Sequence, residues 1–123
     1  MYSLHISARA RQDISEVLTF TSIHFGENAR LRYAHLLNAS MNAILQNPFR
    51  HSTLPLSKYR NDLRTCHLRF FRDIARTSSG VVHTPRHLFV YRIKEPHIEM
   101  LRLLHDSMIP ERHLVPFIEP DES

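Results

Sequence analysis

The chain has 123 residues, enough for one hydrophobic core and too few for two. Its 16 Lys and Arg exceed its 12 Asp and Glu, and Glu119, Asp121 and Glu122 crowd the C-terminal end, so the rest of the chain is more basic than the total and suits acidic partners. Two glycines exclude a glycine-rich phosphate loop and a single cysteine excludes an internal disulfide; no run reaches the roughly 20 apolar residues of a membrane span or resembles a signal peptide, so the expectation is a cytoplasmic protein.

Tyr2, Leu4 and Ile6 alternate with polar residues and predict a short strand, with Ser7 as the N-cap of a helix that starts at Ala8. Ala10, Ile14, Val17, Leu18, Thr21 and Phe25 recur at helical spacing and line one stripe, which turns Arg9, Arg11, Asp13 and Glu16 toward solvent. Gly26 ends that helix, and a second begins at Glu27 or Asn28 with Tyr33, Leu36, Leu37, Met41, Ile44 and Leu45 as its stripe. Asn47 and Pro48 stop it, because the residue before proline is pushed out of the helical region. A link this short makes the two helices an antiparallel hairpin.

Residues 49–62 hold Pro55, several serines and no clear period, and read as a surface connection. Residues 63–71 read as a strand with Cys66, Leu68 and Phe70 facing the core and Thr65, His67 and Arg69 facing away. Residues 73–86 are polar around Ser78, Ser79 and Gly80, long for a hairpin loop and expected to be mobile at the tip.

The centre of the chain is residues 88–105, two apolar runs around a break at Pro96, which predicts a β-hairpin. With Ile93 opposite Ile98, Leu88, Val90, Leu101 and Leu103 share one face, Phe89, Tyr91, Met100 and Leu104 share the other, and Arg92 lies across from Glu99. Two apolar faces place the hairpin in the middle of a sheet covered on both sides. Pro110 opens a single helical turn.

These elements specify an α+β fold in the order β-α-α-β-β-β: an N-terminal strand, an antiparallel helical hairpin, a three-stranded antiparallel sheet and a short C-terminal helical turn. One domain is expected over residues 1–114, followed by an acidic tail, 115–123, that is disordered in isolation.

The stretch ISARARQDISEVLTFTSIHFGENARLRYAHLL, followed by HLFVYRI, EMLRLLHDSM and IPERHL, resembles the ParE branch of the ParE/RelE toxins over about residues 6–114. Its most specific pieces are Phe25-Gly26-Glu27, Tyr91-Arg92, Leu101-Arg102 with Leu104-His105, and Pro110-Glu111-Arg112-His113-Leu114. Two departures stand out. Many relatives have a tight turn where this chain inserts residues 77–84, and many have Asp where Ile109 stands.

The resemblance implies the toxin of a type II toxin-antitoxin system, a plasmid stabilisation protein held silent in a hetero-oligomer by a ParD-like antitoxin with an acidic or partly disordered segment. ParE-like toxins inhibit DNA gyrase by binding and carry no catalytic residues. RelE-like relatives are ribosome-dependent mRNA endonucleases, and an inactive relative that only binds antitoxin is a third reading. Catalysis by this fold needs a base, an acid and clustered cations. The only lysines are Lys58, in an unpatterned loop, and Lys94, in the hairpin turn, so the enzymatic alternative would rest on His105 with Arg92, Arg102 and Arg69 as phosphate clamps.

A structural role for His105 is the plainer reading, and a cationic cleft closing around it would overturn that. Arg102 would be costly unpaired on an apolar face, so it needs a partner, a ring or a groove. Val17, Leu18, Leu36, Leu37 and Met41 are core residues first, with any exposed member forming an antitoxin groove. Arg102, His105 and Arg112 are the target-contact candidates. His83 and His87, four apart in extended chain, do not make a metal site, and no cofactor is expected. The arginines show neither a recognition helix nor an aromatic stacking platform, so sequence-specific DNA binding is not expected.

Overall fold

In the computed structural model, which describes residues 1–57 and 60–114, every sequence-predicted element has a counterpart, and one strand is added. The elements are β1 (Ser3–Ile6), α1 (Ala8–Phe25), α2 (Glu27–Gln46), β2 (Thr53–Ser57), β3 (Arg60–His67), β4 (His87–Lys94) and β5 (His97–His105), with 3-10 turns at Leu68–Phe71 and Pro110–His113. Lys58 and the acidic tail lie outside the described residues.

Ser7 accepts a hydrogen bond from the Ala10 N–H at 3.0 Å, capping α1 as expected, and its hydroxyl donates to the Leu101 carbonyl at 2.9 Å. Gly26 alone joins the helices. Its φ of 93° and ψ of 172° belong to a backbone region open essentially only to glycine. The stripe of α2 is buried from Tyr33 to Ile44, with Leu45 partly buried at its end. On α1 the stripe ends early, and Phe25 is 71 % exposed.

The sheet has five strands in the order β1-β5-β4-β3-β2, with β1 parallel to β5 and every other pair antiparallel. The expected three-stranded sheet is therefore corrected to a mixed five-stranded one. β2 went unread because Pro55 interrupts it; as an edge strand it tolerates a residue with no N–H to donate.

β3 also ends sooner than expected. The His67 ring accepts from the Arg69 N–H at 3.0 Å and turns the chain into a 3-10 helix, so Leu68 and Phe71 are buried while Phe70 is 49 % exposed. The inward assignment of Phe70 is thereby reversed.

The hairpin keeps the expected register at its turn, with Ile93 opposite Ile98 and Arg92 opposite Glu99. Beyond Tyr91 and Met100 the ladder slips: Leu101 is an extra residue, and Val90 pairs with Arg102. Such a bulge exchanges the faces of all that follows it. Leu103 joins Phe89, Tyr91, Ile93, Ile98 and Met100 beneath the helices, and Leu104 joins Leu63, Val90, Leu101 and Leu114 on the other side. The predicted faces of Leu103 and Leu104 are thus interchanged. Both faces of the hairpin are covered, the second by Leu56 and by Leu114 after the last turn.

Candidate functional site

The bulge is held by a residue expected in solvent. β1 stops at Ile6, leaving the outer edge of β5 without a strand partner beyond Met100. Ser7 takes over, its N–H donating to the Met100 carbonyl at 2.9 Å, and then Asp13 of α1 accepts from the Leu103 N–H at 3.0 Å. The same carboxylate receives the Arg102 Nε at 2.8 Å and Nη2 at 3.1 Å, while Nη1 donates to the His113 carbonyl at 3.1 Å. Asp13 and Arg102 are both buried, so Asp13 is corrected from a solvent-facing residue to the partner that Arg102 requires. Arg102 belongs to the fold and offers no free guanidinium to a target.

Beside this pair lies a cleft of about 1120 Å³ between α1, the start of α2, residues 81–87 and the end of β5. Val17, Phe20, Phe25, Val82 and Met108 give it apolar walls, and Arg9, Arg32 and Arg86 line it with charge. Phe20 is 56 % exposed and packs against His24, with ring centroids 4.1 Å apart. The inserted segment forms one wall. Thr77 and Gly80 close a turn through backbone hydrogen bonds of 2.9 and 3.0 Å, and Val82 packs on the core.

A polar cluster stands at the inner end of the cleft, where β3, β4 and β5 bring three imidazoles together. His87 pairs with His105 across the hairpin, ring centroids 5.4 Å apart, and its Nδ1 lies 2.6 Å from the Tyr33 hydroxyl of α2. Burial, reinforced by His105, pushes the His87 pKa down to about 4, so it stands neutral and accepts the Tyr33 proton. Burial holds the Tyr33 phenol well above its ordinary value.

His67 uses Nδ1 to accept from Arg69, which assigns the proton to Nε2, 3.0 Å from Asp106. Arg86 grips the same carboxylate at 2.9 to 3.1 Å, and these two contacts, Arg86 first, hold the Asp106 carboxyl well below the usual carboxylate range. His105 accepts from the Ser107 N–H at 3.1 Å through Nδ1, and its side chain is 37 % exposed. His105 also lines the cleft, so it combines a structural anchor with an accessible ring face.

The residues proposed for catalysis do not converge on it. Arg102 is bound to Asp13, Arg92 bonds Glu99 at 2.7 Å near the opposite end of β4, and Arg69 lies over the Phe70 ring at 4.6 Å. Leu36, Leu37 and Met41 are core residues and Leu18 packs partly buried against them, so of the antitoxin-groove candidates only Val17 lines the cleft. Arg112 is exposed in the last turn. Among the described residues no group of three or more His, Cys, Asp or Glu side chains is arranged to hold a metal ion. Burial pushes the Cys66 thiol up to about 11 and leaves it unreactive. Among the described residues no helix is long and apolar enough to cross a membrane.

The family profile described as the ParE toxin of the type II toxin-antitoxin system, parDE, matches residues 4–110. The chain belongs to the ParE toxin family of type II toxin-antitoxin systems. Its fold is similar to that of a solved chromosomal ParDE toxin-antitoxin system from Pseudomonas aeruginosa, with a TM-score of 0.62 at 15 % identity over 85 % of this chain and 96 % of that one. Two solution structures of conserved hypothetical proteins from Helicobacter pylori, HP0894 and HP0892, align at TM-scores of 0.44 and 0.42, with 17 % and 22 % identity. The alignments cover 89 % and 87 % of this chain and 99 % and 97 % of those. No curated protein matches the sequence.

Within this ParE toxin, the sequence reading gave no site role to Asp13, Tyr33, Arg86, His87 or Asp106. Arg86 precedes β4, His87 opens it and Asp106 follows β5, so the hairpin register was the signal that could have gathered them. The bulge at Leu101 obscured it.

Proposed function

We propose that this ParE toxin, a domain spanning residues 1–114, inhibits DNA gyrase by non-covalent binding in the cytoplasm, performs no catalysis, and is silenced by a ParD-like antitoxin in a hetero-oligomer. The observation that carries the antitoxin part is the cleft. Val17, Phe20 and Phe25 offer apolar surface to an amphipathic segment, and Arg9, Arg32 and Arg86 offer charge to its acidic side chains. His105 at the inner end and Arg112 in the last turn are the target contacts; Arg102, locked to Asp13, acts only by holding β5 in place. Catalysis is disfavoured because the arginines that would stabilise a phosphorane are separated and engaged, and because His87 is kept neutral by burial and engaged by the Tyr33 hydroxyl.

The test adds purified toxin in parallel to a gyrase supercoiling reaction and to a translating extract. Inhibition of supercoiling, relieved by the product of the neighbouring antitoxin frame, is expected. Cut mRNA with gyrase untouched would overturn the reading in favour of a ribosome-dependent endonuclease. Phe20→Asp should weaken antitoxin capture at least tenfold, because it places a carboxylate in the apolar wall of the cleft.

A further inference from the structure

A second depression, about 740 Å³, lies on the far side of Arg86 from the cleft, between the turn after β3 and residues 83–86. Its lining is strongly basic: Arg69, Arg72 and Arg86, with His67 and His83, surround one acid, Asp106, already engaged by Arg86 and His67. Among the described residues Arg72 binds only a neutral group, the His83 carbonyl, which ties the two walls together. Arg69 lies 4.6 Å from the centroid of the Phe70 ring, and among the described residues no carboxylate comes within ion-pair distance of Arg69 or Arg72. Two guanidiniums are thus held, uncompensated, beside an aromatic ring that is half exposed.

A cation cluster by itself suits any polyanion. The ring narrows the choice. An acidic peptide uses the guanidiniums and leaves Phe70 idle, and a duplex buries its base faces where the ring cannot reach them. A single strand presents phosphates at intervals and a free base between them, which matches arginines flanking an exposed aromatic. The feature arises where the chain leaves β3 early: as a continued strand, residues 68–71 would bury Phe70 and separate it from Arg69 across the sheet.

We propose that the depression bounded by Arg69, Phe70, Arg72 and Arg86 binds single-stranded nucleic acid without sequence preference, a base stacking on Phe70 and the adjoining phosphates pairing with the guanidiniums. Such a site adjoins the antitoxin cleft across Arg86, which lines both, and gives a gyrase-directed toxin a direct hold on an exposed strand.

The experiment is fluorescence anisotropy with labelled oligothymidylate and oligouridylate of about 12 nucleotides, matched to the span of small single-strand sites. Binding that weakens with salt, with a log–log slope of about −1.4 for phosphate contacts to the two uncompensated guanidiniums, is expected. Phe70→Ala should weaken it about fivefold or more and Phe70→Tyr should restore it; Arg69→Ala should reduce the slope by about 0.7. Arg11→Ala, exposed on α1, should leave binding unchanged. A preference for either oligonucleotide supports the site and names the strand it takes. No binding at low salt, duplex bound as tightly as single strand, equal displacement by polyglutamate, or insensitivity to Phe70→Ala would each overturn the proposal.

Discussion

The two ends of the β4–β5 hairpin behave in opposite ways. At the turn the ladder is regular, Ile93 faces Ile98, and Arg92 and Glu99 meet across the strands at 2.7 Å with their side chains 25 % and 30 % exposed. At the open end the ladder breaks at Leu101, and a buried ion pair and three histidines fill the space. The turn end is governed by local alternation, in which each side chain's face follows from its neighbour's. The open end is governed by a residue 89 positions away, Asp13, which supplies both the charge for Arg102 and the acceptor for the Leu103 N–H. The candidate site lies where the regular pattern gives way.

The sharpest way to break this comparison is to remove Asp13. Asp13→Ala strands the Arg102 guanidinium, 9 % exposed, and orphans the Leu103 N–H, so a loss of about 3 to 5 kcal/mol is expected in denaturant unfolding. Replacing both charges, Asp13→Leu with Arg102→Met, should recover most of it, leaving about 1 to 3 kcal/mol for the unpaired N–H. A cost below about 1 kcal/mol for Asp13→Ala would show that the bulge holds without its carboxylate.

The elements that local rules decide were legible in the sequence: the Ser7 cap, the Gly26 stop, the stripe of α2 and the hairpin register at Ile93 and Ile98. What escaped was decided at a distance. Pro55 disguised an edge strand whose only requirement is one partner. His67 caps the chain behind it and turns Phe70 outward, an event that strand alternation cannot register. Asp13 read as solvent-facing because its neighbours Arg9 and Glu16 are, although a helix one turn from a free strand edge is well placed to send a carboxylate across. Val17 is the groove candidate that lines the cleft; Phe25, which completes it, read as part of the buried stripe, and Phe20 carried no reading, because burial depends on what α1 packs against.

The histidine cluster makes the open end sensitive to pH. His87 has a folded pKa of about 4 against about 6.5 unfolded, so between those values the unfolded chain binds a proton that the folded one does not. Stability therefore falls as the pH is lowered from about 6.5 to about 4, by about 2 kcal/mol once partial solvent access is allowed for, and this group adds no slope outside that window. Asp106 works lower on the scale. Arg86 and His67 depress its pKa, so its contribution is full above about 3.9 and is lost as the pH falls further. His87→Gln keeps an acceptor for the Tyr33 hydroxyl and should flatten the first limb while leaving the second. Equal slopes in both proteins between pH 4 and 6.5 would place the sensitivity elsewhere.

The smallest effect belongs to the turn end. A double-mutant cycle on Arg92→Ala and Glu99→Ala should give a coupling of about 0.2 to 1 kcal/mol, the ordinary worth of a cross-strand charge pair. Because both side chains are a quarter to a third exposed, added salt should erode that coupling. The Arg102 and Asp13 cycle, with side chains 9 % and 8 % exposed, should hold its value over the same range, since ions cannot screen a pair they do not reach. The contrast in salt response separates the two ends more cleanly than the energies do. A large energy alone could reflect the orphaned Leu103 N–H, whereas resistance to salt reports on where the charges lie. Equal erosion of both couplings would place the Asp13 and Arg102 pair within reach of solvent, and the open end would then owe its stability to the N–H contact and the surrounding apolar packing.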